Sequence, residues 1–214
     1  FFSNEIVSMI LTIVFGVGFG VLMAVGKDRL PDHVLGTFST VALSVPGFWI
    51  AIVLIFIFAE QWKILPSSGI SDGSGFILPA VTLALPSIGV CARLTRSAIL
   101  DEIGRQYMTV ADAKGMSRRR AVVRHAFGNA LIPIITYLGT HMAGIIGGAS
   151  IVETIFAIPG IGSYAIAGVQ SKDYYVVQAY VLFSGCIYVL TNILIDLIYI
   201  ALDPKIRAGE AVES

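Results

Sequence analysis

The residues able to do chemistry in this 214-residue chain fall into two groups. The first is a set of isolated polar side chains inside or beside apolar runs: His141 with Met142, Ser150, Glu153 and Asp196. An imidazole and a thioether are donors that suit a transition-metal complex. A lone His beside a lone Met equally suits hydrogen bonding between packed helices. Ionisable groups within apolar spans are candidates for a translocation path by default. Asp196 sits about 10 Å from the end of its run at 1.5 Å per residue, so snorkelling or helix pairing competes with a path role. Glu153 suits a docking protein, a cationic substrate or a simple interfacial anchor. No H-E-x-x-H segment and no paired intramembrane carboxylates occur, so the chain is not expected to be an enzyme. A phosphate-cradling G-x-x-x-x-G-K-[S/T] stretch is also missing from the sequence.

The second group is the basic stretch from Tyr107 to Pro133. Leu100, Ile103, Tyr107, Val110, Ala111 and Lys114 recur at helical spacing and make one stripe. Asp101, Arg105, Thr109 and Asp112 fall on the other side, with Asp101 and Arg105 spaced to pair at i, i+4. Gly115 suits a helix end and Ser117 the cap of a following helix. That second helix carries Arg118, Arg119, Arg120 and Arg124, with Val122, Val123, Ala126 and Phe127 as its apolar side. The expected unit is helix–glycine–helix. Its arginines suit anionic headgroups, as in a plain surface connector. The small residues Ala111, Ala113 and Gly115 at its corner suit close docking into a groove of another protein.

The elements that must hold these residues are set by composition. Hydrophobic residues make up 56% of the chain and charged ones 13%, and the mean hydropathy is +0.85. A soluble domain is nearer a quarter charged. Five apolar runs approach the roughly 20 residues that a spanning helix needs: about Glu5–Val25, Val34–Ala59, Phe76–Leu94, Ala130–Ile151 and Tyr174–Leu202. Gly16, Gly18 and Gly20 in the first allow close helix approach. Pro46-Gly47 predicts a kink in the second. Pro79 stands near the start of the third and Pro86 inside it, and Pro133 opens the fourth. Cys91 and Cys186 read as small buried hydrophobes. The expectation is an all-α polytopic bundle with one membrane-spanning domain over 1–207, a long basic loop over about 96–128 and a tail over 208–214. The connection from Glu153 to Gly162 is expected to lie along the membrane surface or pack between helices.

Alternating the five runs puts Lys27, Arg29, Arg93, Arg96, Arg105, Lys114, Arg118, Arg119, Arg120, Arg124, Lys205 and Arg207 on one side. Only Lys63 and Lys172 fall on the other. By the positive-inside rule the first side is cytosolic, which puts the N-terminus of this chain outside and its C-terminus inside. The opening Phe-Phe-Ser-Asn and the odd number of spans lead to the expectation of a further helix upstream.

Ala111-Asp-Ala-Lys-Gly115 followed by Arg124-His-Ala-Phe-Gly-Asn-Ala-Leu-Ile-Pro133 resembles the cytosolic EAA loop of ATP-binding-cassette importer permeases of the dipeptide/oligopeptide/nickel group. Asp28-Arg-Leu-Pro-Asp32, Ser44-Val-Pro-Gly-Phe-Trp49, Leu65-Pro-Ser-Ser-Gly69, Ile151-Val-Glu-Thr-Ile-Phe-Ala-Ile-Pro-Gly-Ile-Gly162 and Asp203-Pro-Lys-Ile-Arg207 are similar to other stretches of that group, in the same order. Thr109 stands where the loop's general form has a glutamate, Asp112 where a basic residue is common and Gly128 where an arginine is.

The resemblance implies a non-catalytic permease in a bacterial or archaeal cytoplasmic membrane. It implies a second homologous permease, two cytosolic ATPases carrying ATP and Mg, an extracytoplasmic substrate-binding protein and no nucleic acid. Thr109, Ala111, Asp112, Ala113, Gly115 and Arg118 to Arg120 would contact the ATPase. The cargo would be di- or oligopeptides, with nickel or its chelates as the alternative. A self-sufficient channel or secondary carrier would need a charged ring or repeated broken helices, and neither is evident.

Overall fold

The computed structural model describes residues 2–69, 73–105 and 126–202, and all the regular structure among them is helical. The first apolar run is one continuous rod. It comprises α1 (Phe2–Leu11), a π-helical stretch Thr12–Val17 and α2 (Gly18–Val25). The second run is α3 (Leu30–Ser44) and α4 (Gly47–Leu54), the latter prolonged by a π-helical stretch Ile55–Gln61. The third is α5 (Ile77–Ile103), the fourth α6 (Phe127–Gly148). Two short helices follow, α7 (Ser150–Ile155) and α8 (Ile161–Ser171), before the fifth run, α9 (Tyr174–Leu202).

All five apolar runs are helical, with four changes from the sequence reading. The Pro46-Gly47 kink is a bend of 102° between α3 and α4, so the second run is a broken helix. Val45 is extended at its pivot, the conformation that a following proline imposes. The third run continues to Ile103, so Leu100 and Ile103 end α5 and do not open a separate loop helix. Pro133 lies inside α6, which starts at Phe127. Helix α8 carries residues that the sequence reading left without structure.

Helix α5 is the centre of the bundle. Gly16 approaches Cys91 so closely that an added Cβ would stand 2.6 Å from the Cys91 Cβ. At Gly20 an added Cβ would overlap Thr95 and stand 2.7 Å from the Ala92 carbonyl. Positions 16 and 20 thus advance with 91 and 95, and the first rod runs parallel to α5. Small residues permit that approach, and the gain is dispersion contact, because lipid offers no hydrophobic drive between helices. Gly18 faces open space. Helix α3 runs antiparallel to α5: Asp32 pairs with Arg96, and Gly89 packs on the Ser39 carbonyl at 2.8 Å from an added Cβ. Helix α9 runs antiparallel to α6, with Gly139 against Ile195 and Ser150 joined to Tyr180.

The alternation puts Lys27, Arg29, Arg96 and Arg105 at one end of the bundle, and Lys63 and Lys172 beyond the other. Apolar residues are exposed along the rest, for example Ile6 and Ile10 on α1, Val14 in the π-helical stretch after it, and Val181, Leu182 and Leu190 on α9. This is the surface expected of helices in lipid. Cys91 is buried and Cys186 is exposed among the α9 apolar residues, contrary to the reading of both as buried.

Candidate functional site

At the end opposite the basic residues, α7 and α8 fold back between the bundle helices. Phe156 and Ile158 are buried and join Ala51, Leu78 and Val152 in one apolar cluster. This cluster sets α7 against α4 and α5. Gly69 donates its N–H to the Phe156 carbonyl at 2.9 Å, tying the connection after α4 to the same turn. The apolar loop of the sequence reading is therefore packed between helices.

Glu153 organises this turn. It is 3% exposed, and its Oε2 accepts the Ser163 N–H at 2.7 Å. Ser163 is in the first turn of α8, where backbone donors lack intrahelical partners and the helix dipole favours a negative group. The Glu153 carbonyl accepts the Ile158 N–H at 2.8 Å, so one residue fixes both sides of the turn. The Gly160 N–H donates to the Ser163 hydroxyl at 3.0 Å. Gly160 lies against the Glu153 carboxyl so closely that any side chain there would overlap it. The carboxyl is an internal clip, not an exposed greeting point for a docking protein.

Ser150 lies where α7 meets α8 and α9. Its hydroxyl is 3.1 Å from the Tyr180 hydroxyl, and Gly162 packs against its backbone, with 2.6 Å between an added Cβ and the Ser150 Cα. His141 stacks on Tyr137, with ring centroids 5.5 Å apart and planes 5° from parallel. Tyr137 in turn donates its hydroxyl to the Ser87 carbonyl at 3.3 Å, linking α6 to α5. Met142 is 44% exposed. No group of three or more His, Cys, Asp or Glu residues arranged to hold a metal ion occurs among the described residues. The structure thus distributes His141, Met142, Ser150 and Glu153 over separate contacts. Asp196 lies on α9 and only its helical position is described. Thr109, Ala111, Asp112, Ala113, Gly115, Arg118, Arg119 and Arg120 lie outside the described residues.

At the basic end, the sequence reading missed the main ion pair. Asp32 Oδ1 accepts from Arg96 Nε at 2.6 Å and Oδ2 from Arg96 Nη2 at 2.7 Å. Asp32 Oδ2 also accepts the Asp28 N–H at 2.9 Å, closing the tight turn before α3. The expected Asp101–Arg105 pair is replaced by Arg105 with Glu102 at 2.9 Å, three residues apart. Along a helix, i+3 and i+4 neighbours are both in reach, and sequence spacing alone does not select between them. Between α3 and α5 a groove of about 660 Å³, lined by both polar and apolar side chains, opens beside the Asp32–Arg96 pair.

Residues 16–208 match the family model described as binding-protein-dependent transport system inner membrane component. The chain belongs to this family. It is an inner-membrane permease component, a non-catalytic part of a transport system. Among its relatives, the probable peptide ABC transporter permease protein y4tP of Sinorhizobium fredii is 40% identical over 213 residues, covering 96% of this chain and 68% of that protein. The glutathione transport system permease protein GsiC of Escherichia coli (strain K12) is 35% identical over 202 residues, covering 94% of this chain and 66% of that protein. The chain thus spans about two thirds of the length of these relatives. Its fold is also that of a chain in inward-facing structures of the MetNI methionine ABC transporter. The TM-scores are 0.74 and 0.79, at 16% identity and over 94% of this chain and 92% of the other.

Proposed function

We propose that this permease forms the translocation path of an ATP-driven importer for di- and oligopeptides, glutathione-like peptides included. The observation that carries the substrate class is the similarity, over almost the whole chain, to permeases named for peptides and glutathione. The permease domain spans 1–207, with 208–214 as a tail. The importer contains a second homologous permease, two cytosolic ATPases that bind ATP and Mg, and an extracytoplasmic binding protein. The basic end of the bundle faces the cytosol, so the N-terminus of this chain lies outside and its C-terminus inside. Nickel chelates find no support in His141 and Met142, since one is stacked on Tyr137 and the other is not part of a metal-type cluster among the described residues.

ATP-derived motion enters through the loop at 107–128. Thr109, Ala111, Asp112, Ala113, Gly115 and Arg118 to Arg120 contact the ATPase and move as a lever. The broken α3–α4 helix and the α7–α8 turn are the elements with joints through which access alternates. A shift between two states requires contacts that differ between them, and the loop supplies those. Asp196, His141 and Ser150 border the path, and Glu153 holds the turn that borders it.

The experiment is reconstitution of the complete importer in vesicles with labelled peptides. Gly115→Trp is expected to insert normally and to uncouple ATP hydrolysis from uptake, because a large side chain at the corner blocks close docking. Normal uptake by that variant would remove the coupling role from this loop.

A further inference from the structure

The groove between α3 and α5 gathers more polar side chains than the exposed faces of α1 and α9. Those faces expose mainly apolar residues such as Ile6, Ile10, Val181 and Leu190. Here Thr37, Thr40, Arg93, Ser97 and Asp28 stand beside Met23 and Val41 in the lining. Polar side chains on spanning helices face protein or a water-filled path, because hydrocarbon does not solvate them. A volume of about 660 Å³ is in the range of sites for small ligands.

The charges in the groove are not equivalent. Arg96 is held at two points by Asp32. Arg93, one turn earlier on α5, has neither an ion pair nor a hydrogen bond among the described residues, and it is exposed into the groove. Asp28 sits at the rim with a left-handed backbone, φ 61°, and its own N–H is taken up by Asp32. Its carboxylate acts on Arg96 through space and has no hydrogen-bonded cation among the described residues. The groove therefore offers one open cation and one open carboxylate. Thr37 and Thr40 donate their hydroxyls to the carbonyls of His33 and Gly36, at 2.8 and 3.0 Å, which leaves oxygen lone pairs toward the groove as acceptors.

We propose that this groove is the inner part of the translocation path and that Arg93 receives the free α-carboxylate of a short peptide in transit. A guanidinium presents a planar fork that matches a carboxylate. Asp28 accommodates the peptide's ammonium group. A lipid phosphate is the other anion available there, but the Asp28 carboxylate at the rim opposes an anion with no accompanying positive group. A zwitterionic peptide satisfies both signs. The proposal rests on the importer reading above and adds the group recognised and the residue that recognises it.

The test uses the complete importer in vesicles. The probe is a synthetic library of di- to tetrapeptides with glutathione, supplied as free acids and as C-terminal amides, and uptake is read by mass spectrometry. Arg93→Gln is expected to lower the acid-to-amide uptake ratio about tenfold relative to the unaltered permease, with uptake of amides within about twofold, the size of a lost charge-assisted hydrogen bond. Arg93→Lys is expected to recover part of the ratio, because the charge remains and the fork does not. An unchanged ratio, or an equal fall for acids and amides, overturns the proposal. So does an Arg93→Gln effect that appears only as a lost response to phosphatidylglycerol in the vesicles, which assigns Arg93 to a lipid phosphate. Absence of uptake of every library member by the unaltered importer instead defeats the peptide-importer reading itself.

Discussion

Asp32 grips Arg96 with both carboxylate oxygens, at 2.6 and 2.7 Å, across 64 positions of sequence. The pair staples the start of α3 to α5 about two turns before α5 reaches its end. Asp32 is 6% exposed and Arg96 30%. Asp32 Oδ2 also accepts the Asp28 N–H, so this carboxylate shapes the turn before α3 as well.

Removing one partner of a largely buried pair leaves the other uncompensated, and the partial exposure of Arg96 moderates the loss. Asp32→Ala is expected to cost about 2 kcal/mol. In detergent the thermal unfolding midpoint falls. The exchange Asp32→Arg with Arg96→Asp restores part of it. Equal midpoints for the single and double variants would show that the pair itself contributes nothing.

The glycines of the first rod separate by what they face. Gly20→Ala is expected to destabilise by about 1–3 kcal/mol, because the added methyl meets Thr95 and the Ala92 backbone. Gly18→Ala meets nothing within 4 Å. It is expected to be neutral or slightly stabilising, since alanine is the better helix former. A side-by-side thermal melt of the two variants checks the order.

At the opposite end, the Glu153 clip predicts a local effect. Glu153→Gln keeps the shape but loses the charge at the start of α8, and is expected to cost about 1 kcal/mol. Gly160→Ala drives a methyl into the Glu153 carboxyl and is expected to cost more. Hydrogen exchange over 156–163 is the measurement. Both variants speed exchange there and leave α5 protected. Unchanged exchange in Glu153→Gln would show that the carboxyl does not hold the turn.

Ser150 and Tyr180 join α7 to α9 through one hydroxyl contact at 3.1 Å. Interhelical hydrogen bonds of this kind carry about 0.6 kcal/mol on average. A double-mutant cycle of Ser150→Ala and Tyr180→Phe is expected to give a coupling of that size. Additive effects would mean that the two hydroxyls act independently.

The sequence by itself determined the five apolar runs and the collection of the basic residues at one end. Both follow from local composition. A helix in lipid must be apolar for about 20 residues and satisfies its own backbone, so a linear reading finds it without knowing its neighbours. The same holds for Pro46 as a break, though not for the size of the 102° bend, and for glycine as the contact residue of the first rod, though not for the choice of Gly16 and Gly20 over Gly18. The EAA-like stretch was legible as a pattern of residue types; its residues 111–115 and 124–125 lie outside the described residues, and 127–133 opens α6.

Tertiary structure alone decided what the polar residues do. Glu153 in sequence is a carboxyl at the end of a run. Only the return of α8, a helix too short and too glycine-rich to announce itself, makes it a buried clip. Asp32 and Arg96 are 64 positions apart, and only the antiparallel packing of α3 and α5 brings them together. That same packing left Arg93 open beside its neutralised neighbour. The reason is physical: apolar burial depends on a residue's own chemistry, whereas a charge is defined by its partner, and partners distant in sequence are chosen by the packing.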